Sequence, residues 1–402
     1  MRFVLLLGRA LHKAGHSAQR LEDILGAISE RLGLADHQFF STPTSIMASF
    51  GPVGRQRTHM LRVEPGDVNL GRLAALEQVS MEVAQGRTSP GEGIDAITRI
   101  VQAPPPYGAA LTTLAYGVVS GAATHFLGGG LREIAVAAFL GLLVGVVARL
   151  TGSRPHFARV FEPVAAFLVS AGAIGLWHMA GPLNVLVATL GGLIVLLPGL
   201  TLTIAMAELS TRNLASGTAR ISGAFITFLA IAFGVALGNR IGAEVFGSAA
   251  SADPIVLPTW TALLAVVAAG LSFVVVLRAD RRDAGWIVAI GSLGVLGGRF
   301  GSATLGVELG TFTGALAVGL ASSGYERWTG RPSSVVLVPG ILLLVPGSVG
   351  FRGIASLLER QAVTGIETIF SMILTAVALV AGLLIAAAIA PERPLSAAPR
   401  RQ

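Results

Sequence analysis

The sequence predicts a polytopic α-helical membrane protein: ten transmembrane helices, arranged as two inverted five-helix repeats with broken helices, preceded by a small α+β cytoplasmic domain. Three observations predict it. The 402 residues are 53% hydrophobic and only 13% charged, where a soluble domain carries about 25% charge. Ten apolar segments follow one another from Tyr107 to Ala390. An apolar phrase broken by Pro-Gly occurs twice, as Leu196-Leu197-Pro198-Gly199 and, 141 residues on, as Leu337-Val338-Pro339-Gly340. Backbone freed from helix bonding at membrane depth is tolerated only where it lines a protein-buried cavity or water, and paired broken helices point to the substrate site of a carrier.

Composition excludes several alternatives. Cysteine is absent, which removes disulfides and thiolate metal sites. The formal charge of +7 comes almost wholly from arginine, since Lys13 is the only lysine. A basic balance often signals nucleic acid. Here the arginines sit in short loops between apolar runs, where they fix membrane orientation instead, so a lipid bilayer and not nucleic acid is the expected partner. The apolar start Met1–Leu7 meets His12 and Lys13 with no small-residue cleavage site, so no cleavable leader is expected.

Residues 1–103 form the expected cytoplasmic domain, for they contain no apolar run approaching the ~20 residues a span requires. Phe3–Ala14 reads as a short amphipathic helix ended by Gly15. Ser17 is the N-cap of a second helix, 18–32, whose Leu21, Ile24, Leu25, Ile28 and Leu32 share a face before Gly33 closes it. Short strands are expected at 38–41, 45–50 and 58–63, separated by Pro43 and by the Gly51-Pro52-Val53-Gly54 turn. Helices return at 69–85 and 90–101, and Pro104-Pro105-Pro106 is a stiff connection to the membrane. Gly15-His16-Ser17 lacks the second glycine of a nucleophile elbow, because position 19 is Gln; Ser17 is read as a helix cap. His12, His16, His37 and His59 lack metal-ligand spacing and read as solvated surface histidines, so no metal and no cofactor is expected.

The ten spans are expected at 108–127, 132–149, 160–178, 183–207, 218–238, 258–277, 285–300, 304–323, 333–351 and 364–389. The seventh is short and glycine-rich. The loop arginines test this count. With the N-terminal domain inside, the cytoplasmic side carries Arg149, Arg154, Arg159, Arg212, Arg220, Arg278, Arg281, Arg282, Arg327, Arg331, Arg393, Arg400 and Arg401, against Arg132, Arg240, Arg299, Arg352 and Arg360 outside. Thirteen against five supports both termini in the cytoplasm. Trp177, Trp260, Trp286 and Trp328 all fall at span ends, as an aromatic belt requires. Residues 391–402, rich in Pro, Arg and Ala, are expected to be a disordered tail.

The halves, 107–240 and 257–390, align segment by segment: Arg149 with Arg299, Phe161-Glu162 with Val307-Glu308, and the Pro-Gly phrases, at offsets drifting from about 150 to 146 to 141. An odd number of spans per repeat inverts the second copy. Inverted repeats of this kind build alternating-access carriers with the site at the repeat interface near the midplane.

The polar groups suggest what such a site would hold. Pro198-Gly199 exposes the amino end of a half-helix beginning at Leu200, suited to a carboxylate. Thr201 and Thr203 add hydroxyls, and Pro339-Gly340 and Pro346-Gly347-Ser348 offer the same in the second half. Glu208, with Asn213 nearby, would meet a substrate ammonium, and Arg212 or Arg220 would keep Glu208 ionised in the empty site; the competing reading makes Glu208, Arg212 and Arg220 interfacial ion pairs. Glu162, Glu208 and Glu308 are the candidates for proton coupling.

These phrases also resemble a known family. Gly15-x-Ser17-Ala18-x-Arg20-x-Glu22, Leu32-Gly33-Leu34, Pro43-Thr44, Val68-Asn69-Leu70, Leu197-Pro198-Gly199, Glu208-Leu209 and Ser216-Gly217-x-x-Arg220 occur in the order found in the bacterial threonine/serine exporters, in their fused two-part form. The resemblance covers nearly the whole chain. It implies secondary active, proton-driven export of L-threonine and L-serine by antiport across the bacterial cytoplasmic membrane, with protons and a small amino acid as partners and homo-oligomerisation left open. Some relatives divide the two parts between chains and are associated with dicarboxylate export, which keeps a succinate-type substrate as the alternative. A membrane-anchored enzyme with its chemistry in 1–103 is a third reading. A channel is disfavoured, because no ring of pore-lining charge is written in the sequence.

Overall fold

A computed structural model describes residues 1–64, 66–152, 157, 160–250, 252–358 and 360–391, with the side chains of 305, 307, 308 and 358 outside the description. The expected disordered tail lies outside the described residues, apart from Pro391.

The N-terminal part pairs four helices with a small sheet. Helices α1 (Arg2–Ala14) and α2 (Ala18–Arg31) precede strands β1 (His37–Thr42), β2 (Ser45–Phe50) and β3 (Arg57–Arg62), and α3 (Leu70–Ala84) and α4 (Pro90–Gln102) follow. The sheet is an antiparallel meander in the order β1-β2-β3. Local chemistry sets the ends. Ser17 accepts the Arg20 N–H as the N-cap of α2, and Ser89 and Glu92 form a reciprocal capping box on α4. Gly15 ends α1 at φ 104, a conformation that disfavours any side chain. Phe3, Leu7, Leu11, Leu21, Leu25, Ile28, Ile46, Leu76 and Val83 make one apolar core. One expectation is corrected here. His12 and His16 are buried, at 5% and 6% exposure, because α1 and the α1–α2 turn are covered by β1, by α3 and by the next helices of the chain.

The remainder is helical. It comprises α5 (Ala109–Phe126), α6 (Leu131–Gly152), α7 (Phe161–Ala180), the half-helices α8 (Val185–Leu193) and α9 (Gly199–Ser210), α10 (Leu214–Phe246), α11 (Thr261–Val276), α12 (Ala284–Leu305), α13 (Val307–Thr329), the half-helices α14 (Ser334–Leu342) and α15 (Gly347–Leu358), and α16 (Ala362–Ile389). Among the described residues, six stretches are long and apolar enough to cross a membrane: 131–152, 161–180, 214–246, 281–304, 334–357 and 362–389. The protein is a polytopic helical membrane protein. Its long helices carry outward apolar side chains such as Ile226, Phe233 and Leu296, each more than 60% exposed, as a lipid-facing surface requires.

Glycine lets these helices approach closely. Gly234 and Gly238 of α10 face the Pro163 and Phe167 carbonyls of α7, and Gly382 of α16 faces the Phe312 carbonyl of α13. The third helix thus packs on the fifth in both halves. The seventh segment is longer than expected: α12 runs 22 residues, continuing past Arg299.

The second break lies elsewhere than the sequence phrase suggests. Pro339 sits inside α14 and Gly340 packs against Val318, whereas the chain breaks at residues 343–346, so that Pro346-Gly347 is the counterpart of Pro198-Gly199. Pro339 is the sixth residue of α14, in its second turn, where it removes one backbone hydrogen bond without ending the helix. Both broken elements have halves of 9 and 12 residues. Their starts and those of the following helices (185 and 334, 199 and 347, 214 and 362) are 148 or 149 residues apart.

The two parts share a core. Leu73, Leu76 and Val83 of α3 face the N-terminal domain, while Leu70 and Ala74 join Leu277, Tyr325, Val335 and Val336 of the helical part. The Leu70 and Gly71 N–H groups donate to the Leu277 and Arg278 carbonyls at 2.9 and 3.1 Å, and Tyr107 Oη donates to the Ala279 carbonyl at 2.7 Å.

A candidate substrate cavity at the paired helix breaks

The two breaks meet. A Cβ on Gly199 would lie 3.2 Å from the Gly347 Cα, and one on Gly347 would lie 3.3 Å from the Gly199 Cα. Glycine at both positions allows this approach without displacing either neighbour, and it brings the amino ends of α9 and α15 to one place. Each end leaves N–H groups without helical partners and carries a partial positive charge.

A cavity of about 510 Å³ opens beside the contact. Pro198, Gly199, Leu200 and Thr201 line it from the first break, and Val345, Gly347 and Ser348 from the second. Glu162, in the first turn of α7, and Thr227 of α10 add a carboxylate and a hydroxyl. Val119, Phe126, Ala269 and Phe273 supply apolar walls, and Gly66, Asp67 and Val68 of the N-terminal part reach its rim. An apolar cavity with a few convergent polar groups is the usual form of a small-molecule site.

The structure thus brings together Pro198, Gly199, Thr201, Ser348 and Glu162 from the sequence-derived set. Others lie elsewhere. Thr203 is buried and donates to the Gly199 carbonyl at 3.1 Å. Pro339 and Gly340 are within α14. Asn213 precedes α10, its amide donating to Thr211 Oγ1 at 3.3 Å, and Arg212 is exposed with φ 66. Glu308 stands in the first turn of α13, its side chain outside the described residues.

Glu208 occupies a different site. It is 1% exposed at the far end of α9 and absent from the cavity lining. Arg220 Nε donates to both its oxygens, at 3.1 and 3.0 Å, and the Ala18 N–H donates to Oε1 at 2.9 Å. Ala18 is the first residue of α2, so the Glu208 carboxylate binds the positive end of a helix in the N-terminal domain. The rest of the motif is structural in the same neighbourhood. Gly15 lies under Val68, Arg20 pairs with Glu77 at 3.4 Å, His16 Nε2 approaches Glu77 at 3.0 Å, and the Ser41 N–H donates to Glu22 at 2.6 Å. Burial raises the Glu77 carboxyl, but the His16 and Arg20 contacts outweigh it and leave it below the usual carboxylate range.

Sequence reasoning missed Thr227 and Asp67, which carry no local signal. It also missed Glu133 and Asp283, 3% and 2% exposed, at the start of the second helix of each half. Glu133 accepts the Asn184 and Gly130 N–H groups, both at 2.9 Å; Asp283 accepts Tyr325 Oη and Arg331, both at 2.8 Å. Each ties down the loop before a broken element. Their spacing of 150 residues, close to the offset between the two broken elements, was a signal available in the sequence.

A helical membrane protein with paired broken helices around an apolar cavity belongs to the class of membrane transporters. Residues 2–242 match one threonine/serine exporter family model, and residues 261–389 match a second, described as threonine/serine exporter. The chain belongs to the threonine/serine exporter family, a family of transporters and not of enzymes. It is also 28% identical over 384 residues to pheromone-regulated membrane protein 10 of Candida albicans, an alignment covering 91% of this chain and 34% of that one. It is 27% identical over 390 residues to the protein of the same name in Saccharomyces cerevisiae, covering 91% and 48%. The chain therefore spans less than half the length of these relatives. No solved structure matches it.

Proposed function

We propose that this protein exports small zwitterionic amino acids, L-threonine and L-serine, by proton-coupled antiport, binding them in the cavity between the two helix breaks. The single observation that carries this reading is the convergence of the α9 and α15 amino ends on a cavity that also holds Glu162. The helix ends suit the substrate carboxylate. Glu162 suits its ammonium group or the coupling proton, and Thr201, Thr227 and Ser348 suit a side-chain hydroxyl. A succinate-type dicarboxylate would place a second negative charge near Glu162, which disfavours that alternative.

In this reading residues 1–103 are the cytoplasmic domain, 107–240 and 257–390 are inverted five-span repeats, and both termini face the cytoplasm of a bacterial inner membrane. The equal half-helix lengths and the matched Glu133 and Asp283 positions support the repeat. Alternating access would proceed by one repeat moving against the other around the glycine contact. The test is efflux of labelled L-threonine, L-serine and succinate from preloaded vesicles, with and without an uncoupler. Uncoupler-sensitive efflux of the two amino acids supports the reading; efflux of succinate alone refutes it.

A further inference from the structure

The cavity rim on the side of the N-terminal domain is made by a strap, residues 66–71, that the domain lends to the helical part. Gly66 lies against the Lys13 carbonyl with no room for a Cβ, and Val68 packs on Gly15. The Asn69 N–H donates to the Ala14 carbonyl at 3.1 Å. On the other side the Leu70 and Gly71 N–H groups donate to Leu277 and Arg278. The strap is held at both edges, so the Asp67 side chain is presented at a fixed place on the rim.

Asp67 is not consumed by this fixation. Its side chain is 85% exposed, and its contact with Arg278 Nη2 is 3.4 Å, with Arg278 itself 37% exposed. Such an open pair contributes little to folding. Asp67 lines the cavity, and Arg278, outside that lining, stands beside it, so an anion and a cation lie together next to the mouth, the pattern that complements the ammonium and carboxylate of an α-amino acid. A dicarboxylate would meet repulsion from Asp67, and a diamine from Arg278.

We infer that Asp67 and Arg278 form an outer recognition pair, which selects zwitterions at the domain-side mouth before they reach the helix breaks. Asp67 takes the ammonium group and Arg278 the carboxylate. The N-terminal domain thereby contributes directly to substrate selection. This rests on the amino-acid transport reading above.

The experiment is efflux kinetics of L-threonine and succinate in vesicles for wild type, Asp67→Asn, Arg278→Gln and the exchanged variant Asp67→Arg/Arg278→Asp, each normalised to inserted protein. The expected result is that Asp67→Asn raises the KM for L-threonine about fivefold, the effect of one exposed charge contact. The maximal rate should hold, and discrimination against succinate should narrow. Arg278→Gln should raise the threonine KM similarly, and the exchanged pair should recover much of the loss. Unchanged KM and unchanged discrimination in Asp67→Asn, with wild type active on threonine, overturn the inference alone. An equal loss of maximal rate for every substrate assigns the pair to structure and also overturns it. A wild type that moves no amino acid overturns the transport reading and this inference together.

Discussion

The Ala18 N–H donates to Glu208 Oε1 at 2.9 Å across 190 residues of sequence, and Arg220 closes on the same carboxylate from the next helix. This contact joins the N-terminal domain to the end of a broken helix. It holds Glu208 in an ion pair, the reading that the sequence offered beside that of an ammonium ligand.

Glu208→Gln removes the charge that compensates Arg220, whose side chain is only 16% exposed. Removing one partner of a buried pair costs about 3 kcal/mol. The expected outcome is a lower unfolding midpoint in detergent and faster proteolytic release of the N-terminal domain. Glu208→Gln/Arg220→Gln should recover part of the loss, since neither group is then left charged and alone. A variant that loses transport with its domain attachment unchanged would return Glu208 to the substrate site.

Acid should loosen the N-terminal domain. Burial holds the His12 imidazole below its ordinary value of 6.5, outweighing the hydrogen bond to the Thr42 carbonyl. A lowered folded-state value means that the unfolded chain takes up the proton first, so stability is intact above 6.5 and falls as the pH drops below it. Glu77, also lowered, adds to the decline below its ordinary 4.5. Glu22 works the other way. Burial raises its carboxyl, with Asp23 and Glu208 contributing, so its protonation favours the folded domain as the pH falls towards 4.5. The His12 contribution to protease resistance should therefore decline between about pH 7 and pH 5, so the His12→Gln domain should lose less resistance over that range than wild type.

The glycine contact should be intolerant of growth. A methyl group at Gly199 would meet Val345 and the Gly347 backbone. Gly199→Ala and Gly347→Ala are expected to cost about 1–3 kcal/mol each and to reduce efflux more than Gly223→Ala, whose Cβ would meet open space. Efflux rates normalised to inserted protein check this.

Much of the fold was written in the sequence. The short strands, the cap at Ser17 and the existence of two broken elements follow from local chemistry that the structure retains. The second break was misplaced because Pro339-Gly340 imitates the first phrase, while Pro346-Gly347 does its work without the matching neighbours. The sequence left Glu208 with two readings, ammonium ligand or ion pair with Arg220, and only the tertiary fold shows that Arg220 and the amino end of α2 both meet its carboxylate. The buried histidines and the rim position of Asp67 likewise depend on contacts between distant segments, which periodicity does not encode.

The central claim is that substrate binds where the two breaks meet, and the absence of cysteine allows a direct measurement. Ser348→Cys, Thr201→Cys and Asn213→Cys can each be labelled with a maleimide as the single thiol, with and without saturating L-threonine. Protection at positions 348 and 201, with none at 213, is the predicted result. Labelling at 348 and 201 that L-threonine leaves unchanged would contradict it.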